Sequence, residues 1–148
     1  VPVRMAYRSI SEVNISFSTA AVTSAISIST PSEIFVENGT QATLSCTFKS
    51  SEVVSTSITV SWSYARQSTT DSIGVEFFYF SQGKPYFGAV PQFKDQVSWV
   101  GNLNKRGSIT FANMQFQDNG TYSCDIKNPP DITGTQSKIV LRVVEKGA

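Results

Sequence analysis

Histidine is absent from the chain, and cysteine occurs only twice, as Cys46 and Cys124. Without histidine, the Ser-His-Asp and Cys-His arrangements of nucleophilic catalysis have no base. Two cysteines also leave too few ligands for zinc, which takes four in structural sites and commonly three in catalytic ones. Charge is scarce: 16% of residues are Asp, Glu, Lys or Arg, and they nearly cancel at a net +1. No basic field is available to hold nucleic acid or an anionic membrane surface. The acidic residues are scattered, and no paired-carboxylate motif, glycine-rich phosphate loop or calcium-loop pattern occurs. Neither catalysis nor a cofactor is expected. No apolar run approaches the roughly eighteen residues of a membrane helix, and residues 1–25 are too polar for a secretory signal. A leader or a membrane anchor is expected outside this sequence.

What remains is the composition of a folded β domain. Hydrophobic residues make up 40% of the chain, enough to build one core in 148 residues. Serine, threonine and β-branched residues abound, which suits a pleated, half-buried surface. Residues 1–23 differ from the rest in being rich in serine and poor in charge and glycine. They read as a leader, tag or appended arm, or as an added strand pairing with a sheet edge. Residues 24–146 read as a single domain. Within it, Ala42, Leu44, Cys46 and Phe48 alternate with polar neighbours, as do Ile58, Val60, Trp62 and Tyr64. A period of two marks strands with one buried face. Further strand signals recur up to residues 137–144, about nine in all, a count typical of an all-β sandwich of two antiparallel sheets.

Cysteines and aromatic residues sharpen that class. A disulfide between Cys46 and Cys124 fits the two-cysteine count and implies an oxidising, extracellular compartment. Cys46, Trp62 and Cys124 have the order and spacing of an immunoglobulin-like sandwich of variable type, with the tryptophan packed on the bridge. Tyr122 lies two residues before the second cysteine, where a tyrosine corner requires it, and Asp118 lies four residues further upstream. Ile109, Phe111 and Met114 fall on the core side of this pattern.

More specific runs surround the signature. Glu33-Ile34-Phe35-Val36, Asn38-Gly39-Thr40-Gln41 and Phe78-Tyr79-Phe80-Ser81-Gln82-Gly83 come first, then Phe93-Lys94-Asp95 and Ser98-Trp99-Val100-Gly101. Asn113-Met114-Gln115-Phe116 and Lys127-Asn128-Pro129-Pro130-Asp131-Ile132 follow. With these, residues 24–146 resemble the extracellular domain of the myelin protein zero family. The resemblance implies a single-pass cell-surface protein whose variable-type domain mediates adhesion, often homophilic, and in one branch is linked to signalling. A heterophilic receptor ectodomain and an accessory ion-channel β-subunit are the alternatives it leaves. It also implies an arginine two residues after Lys94, pairing with Asp118; here that position is Gln96. Either Lys94 or Gln96 is then expected to reach Asp118.

Three sequons occur, at Asn14, Asn38 and Asn119, and the resemblance implies N-linked glycans at the last two. Asn128 is followed by proline and is excluded. The remaining candidate is a protein-binding face. Phe77-Phe78-Tyr79-Phe80 places aromatics on both sides of a strand, so one alternating pair should face outward beside Tyr86 and Phe87. Neighbouring strands covering that pair is the competing expectation. Ser61, Ser63, Ser123, Asp125 and Lys127 should share the outward face, and the valines of residues 50–55 should project from a loop. The expected partner is a like domain on the same or an opposing cell.

Overall fold

The computed structural model describes residues 26–50, 57–66, 74–88, 90–102, 105–129 and 136–146. Asn14, the segment 1–23 and most of the loop 50–55 lie outside the described residues. In chain order the strands are β1 (Ser27–Ser29), β2 (Glu33–Glu37), β3 (Ala42–Leu44), β4 (Thr47–Lys49), β5 (Thr59–Arg66) and β6 (Val75–Ser81). Then come β7 (Lys84–Phe87), β8 (Val97–Trp99), β9 (Ile109–Phe111), β10 (Gly120–Lys127) and β11 (Ser137–Val144). Two short 3-10 turns, Pro91–Phe93 and Phe116–Asp118, separate some of them.

One layer is a six-stranded sheet in the order β2-β11-β10-β5-β6-β7. The other holds β3-β9-β8, with β1 paired to β4. β3 and β4 are one strand line interrupted at Ser45-Cys46, where the Ser108 hydroxyl, rather than a carbonyl, accepts from the Cys46 N–H at 3.0 Å. Past the interruption, Phe48 N–H donates to the Lys105 carbonyl and Gly107 N–H to the Cys46 carbonyl, so the line continues alongside β9. The sheets are not wholly antiparallel as expected: β2 runs parallel to β11. That pairing follows from the crossover that carries the chain from β2 into the opposite layer at β3.

The alternating residues meet between the layers. Leu44, Val60, Trp62, Ile109, Tyr122, Ile139 and Leu141 are fully buried there. Cys46 and Cys124 bridge the layers with Cα atoms 6.6 Å apart. Trp62 packs in the same centre and donates its indole N–H to the Gly107 carbonyl at 2.8 Å. A methyl group on Gly107 would lie 2.9 Å from a Val60 methyl, so the loop can come this close only without a side chain. Below it, Tyr64, Phe77, Phe93, Phe111 and Tyr122 form one aromatic cluster with centroids 4.8–6.0 Å apart. Each such pair adds about 0.5–1.5 kcal/mol beyond its area burial.

Strict alternation fails at one place. β5 pairs with β6 through Trp62↔Phe78 and then Ser63↔Glu76, so Phe77 is the extra residue of a β-bulge. The bulge turns both Phe77 and Phe78 inward, at 2% and 0% exposure. Trp99 then stacks on Phe80 and Phe78 at 4.2 and 6.0 Å and closes that end of the core.

Candidate protein-binding face

The corner that supports β10 is built locally. Tyr122 donates its hydroxyl to the Asp118 carbonyl at 2.6 Å, across the 3-10 turn that precedes the strand. Burial above all, with the Asp118 charge adding to it, raises the Tyr122 hydroxyl pKa far above the usual tyrosine range. Burial raises that of Tyr64 in the same direction. The Tyr64 hydroxyl donates to the Asn119 carbonyl at 2.6 Å.

Asp118, buried at 4% exposure, accepts from the Gln115 backbone N–H on Oδ2 and from Gln92 Nε2 on Oδ1, both at 2.8 Å. Neither Lys94 nor Gln96 supplies that donor, contrary to expectation. Gln96 instead buries its Oε1 without a partner. Gln92 precedes it on the 3-10 turn Pro91–Phe93, which swings its side chain toward the corner. No periodicity marked Gln92, because it lies in no strand.

The sequons fall at the same end. Asn38 opens the turn after β2, where Gly39 takes φ +86° and the Thr40 N–H donates to the Glu37 carbonyl at 3.2 Å. Asn119 caps the 3-10 turn Phe116–Asp118; its Oδ1 accepts from Val143 N–H at 2.8 Å and its Nδ2 donates to the Phe116 carbonyl at 2.7 Å.

The outward face of the six-stranded sheet carries the predicted partner residues only in part. Register places Asp125, Ser61, Tyr79 and Tyr86 in one row across four strands. Lys127, Thr59, Ser81 and Lys84 form the next row. Tyr79 and Tyr86 have ring centroids 6.4 Å apart, and Tyr86 is 53% exposed. Lys127 Nζ pairs with Asp125 Oδ2 at 2.7 Å, and the Ser61 hydroxyl donates to Glu76 Oε1 at 2.7 Å.

Three expected members do not belong. Phe78 is in the core, because the bulge at Phe77 shifts the phase of β6. Ser123 points outward but is only 8% exposed, since Ser63 and Lys138 flank it on the neighbouring strands. Phe87 is 62% exposed yet lies on the opposite side of β7 from Tyr86, because neighbours on a strand alternate. It faces Phe78 at 5.7 Å and overhangs a cleft of about 460 Å³ floored by Phe77, Phe93 and Val97. Among the described residues no group of three acidic or thiol side chains is placed to hold a metal, and no helix is long and apolar enough to cross a membrane.

A disulfide-bridged sandwich with a tyrosine corner is matched by the known proteins this chain resembles. Residues 29–144 match the immunoglobulin V-set domain. The chain belongs to the immunoglobulin V-set family. It is 52% identical over 124 residues to myelin protein zero-like protein 1 of Bos taurus, covering 83% of this chain and 45% of that one. It is 43% identical over 125 residues to myelin protein P0 of Gallus gallus, covering 84% of this chain and 49% of that one. The chain thus spans about half the length of the curated relatives it matches. Among solved structures, murine CRIg superposes with a TM-score of 0.64 at 16% identity, over 81% of this chain and 98% of the other. A chain from a study of multimeric cell-adhesive interactions of VGSC beta subunits superposes at 0.58 with 24% identity, over 78% and 93%. These two structural likenesses speak for the V-set fold alone.

Proposed function

We propose that this V-set domain is the extracellular recognition part of a single-pass cell-surface glycoprotein, that it mediates homophilic adhesion between cells, and that it is linked to signalling across the membrane. One observation carries the reading: the patch formed by Tyr79, Tyr86, Asp125 and Lys127 on the outer face of the sheet. It sets exposed aromatic surface beside charges of both signs on a rigid support, the composition of a partner-binding surface. It is also self-complementary, because a two-fold axis near Ser61 would bring the acid of one copy to the base of the other. The relatives named for myelin support a membrane setting, and Asn38 and Asn119 are assigned as N-glycosylation sites. No catalytic role is assigned. A single contact of this size is weak, and adhesive strength comes from many copies held in one membrane.

Bead clustering tests the reading. Beads coated with the purified, disulfide-intact domain should aggregate, and Tyr86→Ser or Lys127→Glu beads should aggregate at least about tenfold less. Mixing Lys127→Glu beads with Asp125→Lys beads should restore clustering. Beads that bind cells but never one another would make the domain a heterophilic receptor, and beads that bind neither would overturn the patch.

A further inference from the structure

Few large hydrophobic side chains among the described residues are exposed, and two of them share a sequence context. Phe35 is 64% exposed and Phe116 is 49% exposed. Phe35-Val36-Glu37-Asn38-Gly39-Thr40 and Phe116-Gln117-Asp118-Asn119-Gly120-Thr121 are the same pattern: phenylalanine, any residue, an acid, then a sequon. In each, the phenylalanine lies three residues before the asparagine. The geometry is decisive at Asn119. Residues Phe116–Asp118 form a 3-10 turn with Asn119 as its C-cap. Side chains three apart eclipse in that conformation, so the Phe116 ring and the Asn119 side chain share one side of the turn.

Asn119 is also held in place. Its Oδ1 accepts from Val143 N–H and its Nδ2 donates to the Phe116 carbonyl, which fixes the direction in which the amide nitrogen points. Attachment of a glycan forms a bond from Nδ2 to C1 of N-acetylglucosamine. The C1–O bond to a polyprenyl pyrophosphate donor breaks, and Nδ2 loses one proton. The nitrogen keeps its other hydrogen, so the bond to the Phe116 carbonyl survives.

We propose that Phe116 is the platform on which the first N-acetylglucosamine of an Asn119-linked glycan rests, its C–H face against the exposed ring. The inference rests on the assignment of Asn119 as a glycosylation site. It gives an exposed phenylalanine beside a turn a definite cover, and it makes the sugar part of the corner that Tyr122 and Asp118 build.

The test is a four-form cycle on the disulfide-intact domain carrying Asn38→Gln, secreted from cells that add only high-mannose glycans. Endoglycosidase trimming leaves a single N-acetylglucosamine on Asn119, and Thr121→Ala supplies the sugar-free form while keeping the asparagine. With Phe116 present, the single sugar should raise Tm by about 4 °C. With Phe116→Ser it should raise Tm by less than about 1 °C, and Phe116→Tyr should restore the full rise. The acetyl methyl protons of that sugar should shift upfield in NMR spectra with Phe116 and return to their free position with Phe116→Ser, because only a stacked ring shields them. Mass spectrometry reads occupancy separately: an unoccupied Asn119 overturns the glycosylation assignment itself. An occupied Asn119 with equal Tm rises, or with no ring-dependent shift, overturns the platform alone.

Discussion

Asp118 is where the sequence and the structure name different partners, and a pair of substitutions separates them. The carboxylate is 4% exposed, and Gln92 Nε2 sits 2.8 Å from Oδ1. Truncating Gln92→Ala removes that donor and leaves Oδ1 buried beside the Tyr122 corner. A hydrogen bond to a charged group is worth about 1.5–3 kcal/mol. Gln92 is half-buried and its second bond, to the Gln117 carbonyl, is exposed, so water recovers part of the loss. The expected cost is about 1.5–2 kcal/mol, or about 6–8 °C in Tm for a domain of this size. Gln96 predicts the reverse. Its Oε1 is buried with no partner, so Gln96→Met keeps the shape, loses no bond there and should leave Tm unchanged or higher. Gln96→Arg should raise Tm and recover at least half the loss in the Gln92→Ala background, because an arginine there restores a donor for Asp118. The assay is calorimetric or near-UV circular dichroism melting of the disulfide-intact domain at neutral pH. Gln92→Ala melting within about 2 °C of the parent while Gln96→Met falls by more than about 6 °C would refute the assignment and hand Asp118 to position 96.

Other outcomes follow from the same core. The unfolded chain releases the Tyr122 proton near pH 10 while the folded domain holds it, so stability is full below that pH and falls above it by about 1.4 kcal/mol per pH unit for this one group. Tyr122→Phe should abolish that slope and cost about 1 kcal/mol at neutral pH, read by urea melts from pH 7 to 11.5. The disulfide closes a separation of 78 residues, so Cys46→Ala with Cys124→Ala should lower stability by about 4–5 kcal/mol if loop-closure entropy governs; a loss under about 1 kcal/mol would count against it. Tyr86→Ser should leave Tm within about 2 °C while weakening bead clustering, since the residue is exposed on an edge strand. A glycan-free Asn38→Gln, Thr121→Ala domain should cluster as well as the parent, measured on the same beads.

The sandwich was legible because its signals are local and periodic. Alternation marked β5, β10 and β11, and the Cys46, Trp62, Tyr122 and Cys124 pattern needs only chain order to be seen. Phe78 was misread because a bulge is a property of two strands at once. Nothing in Phe77-Phe78-Tyr79-Phe80 says which residue lacks a cross-strand partner until β5 is laid beside it. Ser123 faced the expected way, but its burial depends on the width of its neighbours Ser63 and Lys138. Gln92 escaped notice because it acts from a 3-10 turn, where a two-residue period carries no information. Phe87 shows a third limit: its side of β7 was readable by parity from Tyr86, yet two adjacent aromatics invited the reading of a single patch.

The sugar sites and the partner patch occupy opposite ends of one sheet. Asn38 N–H bonds to the Val144 carbonyl, and Val143 N–H bonds to Asn119 Oδ1, so both sequons adjoin the last residues of β11. β10 begins there, at Gly120, and reaches Asp125 five residues later and Lys127 beyond it. At about 3.3 Å per residue the patch begins roughly 17 Å along the strand from the glycan end. The row through Ser61, Tyr79 and Tyr86 keeps that separation across the sheet, because the strands are in register with Asp125. A glycan large enough to shield a protein surface therefore guards the end at which the chain leaves β11 and leaves the tyrosine row open. An anchor following β11 would place that open end away from the membrane, where an opposing copy can reach it.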